Sequence, residues 1–205
     1  MSDTGGVDRD DPGLVALAAE LAALADAAER HPFVVGLVGS VAVGKTTTAQ
    51  VLAALLTEAA PIGEDVVVEV VATDAFLLPN EQLDPLGGAM VKGYPQSYDW
   101  QALQRFLGDA ASGAPVLATP IYSHAVFDIV PGAQHVMAAP DVLIIEGLNL
   151  LQGPPAAPVD LREHLDHTIY LHADPPVLEA WFVERFVSTT RAEASSPESF
   201  YAMFA

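Results

Sequence analysis

The chain has 205 residues, 51% hydrophobic and 17% charged, which favours one domain with a sizeable core over a disordered polymer. Its 27 acidic and 8 basic side chains give a net charge of -19, so nucleic acid and anionic membrane surfaces are poor partners. There is no cysteine, which excludes disulfides, thiolate metal sites and cysteine nucleophiles and is compatible with a cytoplasmic protein.

Residues 1–11 are polar and acidic, the reverse of a basic signal-peptide start, and read as a disordered leader ahead of a single domain over 12–205. Leu14, Leu17, Leu21, Leu24 and Ala28 recur at helical spacing and predict an amphipathic helix over 12–30. Glu20 and Asp26 interrupt its apolar run, so it is too charged to span a bilayer. His31 and Pro32 end it, and "FVVGLVG" at 33–39 reads as a buried strand. A helix follows from Gly44 to about Ala60, then β-branched or apolar strands at 66–73 and 141–147 and an alternating one at 167–174. Helices are expected over 97–113 with Asp99 as N-cap, over 160–165, and over 175–190. Residues 114–140, rich in proline, glycine and aromatics, read as an irregular hairpin excursion. Strands alternating with helices predict an α/β fold, a parallel sheet covered on both faces.

Between the first strand and its helix, Gly39, Ser40, Val41, Ala42, Val43, Gly44, Lys45 and Thr46 fit G-x-x-x-x-G-K-[ST], with Thr47 directly after. Such a loop wraps the β-phosphate of a nucleotide, which calls for glycine where φ is positive or the backbone comes close. The following helix offers its N-terminal dipole to the anion. Lys45 reaches the β- and γ-phosphates, and the Thr46 hydroxyl takes a place on Mg²⁺. Glu146, ending the apolar strand "DVLIIEG", is the candidate acidic metal partner.

A phosphate loop does not distinguish a switch GTPase, a motor-type ATPase and a small-molecule kinase. Asp74, at the end of the second strand, could take the proton of an attacking hydroxyl, or could simply cap the next turn. "TPIYSHAVFDIV" at 119–130 gathers Tyr122, Ser123, His124, Phe127 and Asp128, either as a pocket for a small polar substrate or as a cap over the sheet.

The stretches "GSVAVGKTT", "ATDAFLLPN", "KGYPQSYD", "TPIYSHAVFDIVPG", "VLIIEGLNLLQ" and "AWFVERF" occur in the order and spacing of the bacterial type I pantothenate kinases. The chain resembles that family from about Phe33 to Tyr201. The resemblance implies a P-loop kinase fold related to uridine kinase and phosphoribulokinase. It also implies Mg²⁺-dependent transfer from ATP to the primary hydroxyl of pantothenate, the first step to coenzyme A. It assigns the catalytic base to Asp74 and the phosphate and metal contacts to Lys45 and Thr46. Tyr122 and His124 fall at substrate-binding positions, the histidine near where coenzyme A inhibits family members. Arg185 falls where a cation neutralises the transferring phosphate, and Lys92 lies in a lid or wall of the substrate pocket.

The chain also departs from the pattern. Phe182 stands where the family has a tyrosine whose hydroxyl contacts pantothenate, a loss worth about 0.5 to 1.5 kcal/mol of binding. Gln96 replaces a glutamate. The family pattern runs on past Ala205, so the chain reads as C-terminally short, either truncated or completed as a homodimer. A kinase for another hydroxyl, such as a nucleoside, and a catalytically weak nucleotide-binding remnant are the competing expectations.

Overall fold

The computed structural model describes residues 7–29, 32–59, 65–153, 160–196 and 198–205. In chain order the main elements are α1 (Pro12–Asp26), β1 (Phe33–Gly39), α2 (Lys45–Glu58), β2 (Val68–Ala72) and the single turn α3 (Asn80–Leu83). They continue with α4 (Trp100–Ala111), β3 (Val116–Ser123), β4 (Asp128–Ala138), β5 (Val142–Gly147), β6 (His167–Leu171) and α5 (Pro175–Glu193).

Four strands form a parallel sheet in the order β2-β5-β1-β6. Every residue of β1 and β5 is buried, which is why both read as unbroken apolar runs rather than alternating ones. Alternate residues feed two cores. Phe33, Val35, Leu37, Val142 and Ile144 pack with Leu21 of α1 and Leu52 and Leu56 of α2. Val34, Val38, Leu143 and Ile145 pack on the other side with Leu103, Phe106 and Leu107 of α4. The α/β expectation of a parallel sheet with helices on both faces therefore holds.

Local sequence signals explain most of the boundaries. Asp11 caps α1 by accepting from the Gly13 and Leu14 amides at 2.9 and 3.0 Å, and Pro12 supplies its first turn. Of the expected leader, residues 1–6 lie outside the described residues, while Arg9 pairs with Glu58 of α2. Asp99 caps α4 through the Ala102 amide at 2.9 Å, as its position suggested. The last strand stops at Leu171 rather than 174, because Asp174 becomes the N-cap residue of α5 ahead of two prolines.

Two expectations are corrected. Residues 160–165 form only a short turn of 3-10 helix at Arg162–His164, with Arg162 drawn back onto the Asp160 carboxylate. Residues 114–140 are not irregular: β3 and β4 make a long antiparallel ribbon, offset once between Pro120 and Tyr122. Buried Leu117, Thr119 and Met137 fasten it against the core, and His135 Nε2 lies 3.3 Å from Glu69 Oε2 of β2. The ribbon carries its tip over the carboxyl ends of the sheet, where parallel-sheet proteins bind ligands.

Candidate active site

The phosphate loop leaves β1 at Gly39, whose backbone is tightly enclosed. A Cβ there would stand 2.7 Å from the Leu171 carbonyl oxygen, so no other residue fits. At the far end Gly44, the N-cap residue of α2, has φ +89°, a conformation that side chains rarely adopt. The two glycines therefore serve the two needs expected of them, close approach and positive φ. Ala42 also takes a left-handed conformation, φ +63°, which the sequence pattern does not announce.

Lys45, the first residue of α2, turns its ammonium back over the loop and donates to the Ser40 carbonyl at 2.8 Å. Burial lowers its pKa, against the opposing pull of Glu146 and Asp74. Beside it, the Thr46 hydroxyl donates to Glu146 Oε1 at 2.6 Å, joining the start of α2 to the end of β5. Glu146 is 5% exposed. Burial pushes its carboxyl up, with the Thr46 hydrogen bond and Lys45 opposing. A hydroxyl and a carboxylate in contact beside a phosphate loop form a partial oxygen set of the kind Mg²⁺ uses when nucleotide phosphates and water complete its shell. Among the described residues no cluster of three or more His, Asp or Glu could hold a metal by itself.

Asp74 lies in a one-turn 3-10 helix, Thr73–Phe76, at the end of β2. The position before that turn is Ala72 and no side chain caps it, so the capping alternative for Asp74 does not hold. Burial raises the Asp74 carboxyl, while His124, Lys45, Arg185 and Lys92 act against this in that order. Lys45 of the phosphate loop, Arg185 of α5 and Lys92 thus all act on one carboxylate.

The ribbon closes the opposite wall. A cavity of about 190 Å³ is lined by Asp74, Thr119, Tyr122, His124 and His135 among others. Tyr122 meets the His124 ring edge-on at 5.1 Å, and burial followed by the Asp74 charge keeps its phenol protonated. A second cavity of about 240 Å³ adjoins at His124 and is lined by Arg185, Thr189, Glu193 and Tyr201. Two expected substrate-side residues sit differently. Phe182 is exposed, pairs with Phe186 at 6.3 Å and lines neither cavity. The Lys92 ammonium is buried against the ribbon tip.

Sequence reading did not single out Thr119, His135, Thr189, Glu193 or Tyr201. The polar residues on alternating positions of the ribbon were the one available signal for the first two; the hairpin was expected there, but as an irregular one rather than two regular strands.

A parallel sheet with β1 at its centre, a glycine-bounded phosphate loop and a helix starting at Lys45 define a P-loop kinase fold. The chain belongs to the phosphoribulokinase / uridine kinase family, whose model matches residues 34–191. It is 44% identical over 177 residues to a pantothenate kinase of Sorangium cellulosum, and 40% identical over 182 residues to one of Yersinia enterocolitica. Each match covers 86% of this chain but only 56% and 57% of those relatives, so the chain spans little more than half their length. Among solved structures, a Silicibacter sp. TM1040 protein described as a fructose transport system kinase superposes with a TM-score of 0.72 at 30% identity. That match covers 86% of this chain and 82% of the other. A D-glycerate 3-kinase of Cryptococcus neoformans has the same fold, with a TM-score of 0.60 at 16% identity over 91% of this chain and 79% of its own.

Proposed function

We propose that the chain transfers the γ-phosphoryl group of ATP to the primary hydroxyl of pantothenate. The observation that carries this reading is Asp74 itself: it lines one cavity with Tyr122 and His124 of the ribbon, and Lys45 of the phosphate loop acts on its charge. The relatives named pantothenate kinase, at 40–44% identity over 86% of the chain, supply the choice of acceptor.

In this reading the loop from Gly39 to Thr47 wraps the ATP phosphates, and Lys45 leaves the Ser40 carbonyl to meet them. Thr46 and Glu146 hold Mg²⁺, which neutralises charge on the β- and γ-phosphates when bound. The acceptor lies along the ribbon against Tyr122 and His124. Asp74 takes the proton of its hydroxyl as the oxygen forms its bond to the γ-phosphorus and the bond to the ADP oxygen breaks. Arg185, exposed on α5 and electrostatically coupled to Asp74 and Lys45, faces the charge spread over the transferring group.

A coupled ADP-release assay over a panel of acceptors tests the reading. Pantothenate is expected to stimulate release most strongly. Stimulation by uridine but not pantothenate would transfer the assignment to a nucleoside kinase. Tight ATP binding with no acceptor response would mark a nucleotide-binding protein instead.

A further inference from the structure

Lys92 follows a 3-10 turn, Gly88–Val91, and enters the crevice in extended backbone. Its side chain is only 1% exposed, an unusual state for a lysine in a chain with just one other. The ammonium donates to the Phe127 carbonyl at 2.8 Å and to Asp128 Oδ1 at 2.9 Å. It also stands 5.2 Å from the centre of the Tyr122 ring and 5.7 Å from that of Phe127. All of these partners belong to the tip of the ribbon between β3 and β4.

Asn80 of α3 grips the same two residues. Its amide donates to Asp128 Oδ1 at 3.0 Å and its side chain to the Phe127 carbonyl at 3.2 Å. The tip needs such fastening because Phe127 has φ +55°, a costly conformation for a residue with a side chain. On the far side, the Phe127 ring stacks on Phe200 at 4.3 Å, and the Phe200 amide donates to the Ala125 carbonyl at 2.9 Å. The turn that bears His124 is therefore held from two directions, and Lys92 supplies the charged hold. Asp128 keeps a carboxyl below its usual range: desolvation opposes this, but the Lys92 hydrogen bond and the Ile129 and Asn80 amides outweigh it.

We propose that Lys92 is a positioning residue: bonded to the Phe127 carbonyl and Asp128, it fastens the ribbon tip so that Tyr122 and His124 face Asp74 before an acceptor arrives. The proposal rests on the acceptor-side reading of the ribbon given above. It assigns Lys92 to the binding of the acceptor through the loop, and not to contact with the transferring phosphate. The ammonium is already committed to two oxygen acceptors, the Phe127 carbonyl and Asp128, and acts on Asp74 only at longer range.

The test uses the full chain with Lys92→Met, which keeps the length of the stem and removes the donors, and Asp128→Asn, which keeps an acceptor for Asn80 and Ile129. In steady state, Lys92→Met is expected to raise the acceptor KM about 5- to 50-fold while the ATP KM stays within about threefold. The double variant is expected to be no worse than Lys92→Met, since both changes open one clamp. Hydrogen exchange without any acceptor should quicken over 122–130 in Lys92→Met and remain unchanged over the phosphate loop. A fall in kcat with the acceptor KM unchanged, or additive losses in the double variant, would overturn the proposal. Unchanged exchange over 122–130 would also overturn it. The exchange result decides even if pantothenate is the wrong acceptor, so failure of the clamp and failure of the substrate assignment remain distinguishable.

Discussion

In the proposed mechanism Lys45 and Asp74 divide the labour, and each has its own consequence. Lys45→Ala removes the only ammonium at the phosphate loop, the other lysine being committed to the ribbon. ATP affinity by calorimetry is expected to fall and phosphoryl transfer to disappear; equal affinity in wild type and variant would contradict the loop assignment.

Asp74 carries a pH signature. Burial raises its carboxyl above the ordinary 3.8, so the folded chain keeps this proton to higher pH than the unfolded chain does. Stability contributed at acid pH is therefore lost as pH rises from 3.8 through the folded value. Asp74→Asn abolishes that loss, and at about pH 7 the variant is expected to melt above wild type, the gap closing towards about pH 4. Calorimetric scans at both pH values check this, and a variant that melts below wild type at neutral pH contradicts it. As a base, Asp74 must be ionised, so kcat/KM should fall as pH drops, along a limb lying above the usual aspartate range.

At this scale the phosphate loop, Glu146 and Asp74 were all legible, because each is fixed by its place at the end of a strand. Thr119, His135 and Tyr201 were not. They reach the two cavities by folding of the ribbon and by packing of the last residues on its tip and on α5, long-range events that local patterns do not encode.

Among the elements, the sheet and its two helical layers follow directly from apolar runs and their punctuation. The hairpin over 114–140 was also legible, but not its regularity, since Pro120, Gly132 and a bulge interrupt the alternation that would have identified two strands. Its rigidity depends on the α4 side of the core, where Leu107 is fully buried and packs in the same cluster as Leu117 and Met137 of the ribbon. Leu107→Ala is expected to destabilise the chain by about 2 to 5 kcal/mol. Urea unfolding would measure the loss, and a change under about 0.5 kcal/mol would show that this cluster is not a packed core. Helix α5 is the opposite case. It has no buried residue, and Trp181, Phe182, Val183 and Val187 are all exposed, so its sequence predicts a helix without predicting what it packs against.

For the whole molecule, the charge distribution concentrates function. A chain with a net charge of -19 is a poor host for a polyanion, yet both of its lysines and Arg185 converge electrostatically on Asp74 at the phosphate crevice. Family membership was legible from ordered motifs spread over most of the chain. The proposed acceptor rests on resemblance, because no spacing of Tyr122 and His124 distinguishes one hydroxyl substrate from another.

Acceptor phosphorylation requires a base that ATP binding does not, and Asp74→Asn separates the two. Asparagine preserves shape but cannot take the proton. Measured together in the correctly folded variant, ATP affinity should stay close to wild type while pantothenate-dependent ADP release falls about 10²- to 10⁴-fold. Near-wild-type release would contradict the assignment of Asp74 as the base, and loss of ATP affinity alongside release would move Asp74 to the metal and nucleotide side of the site.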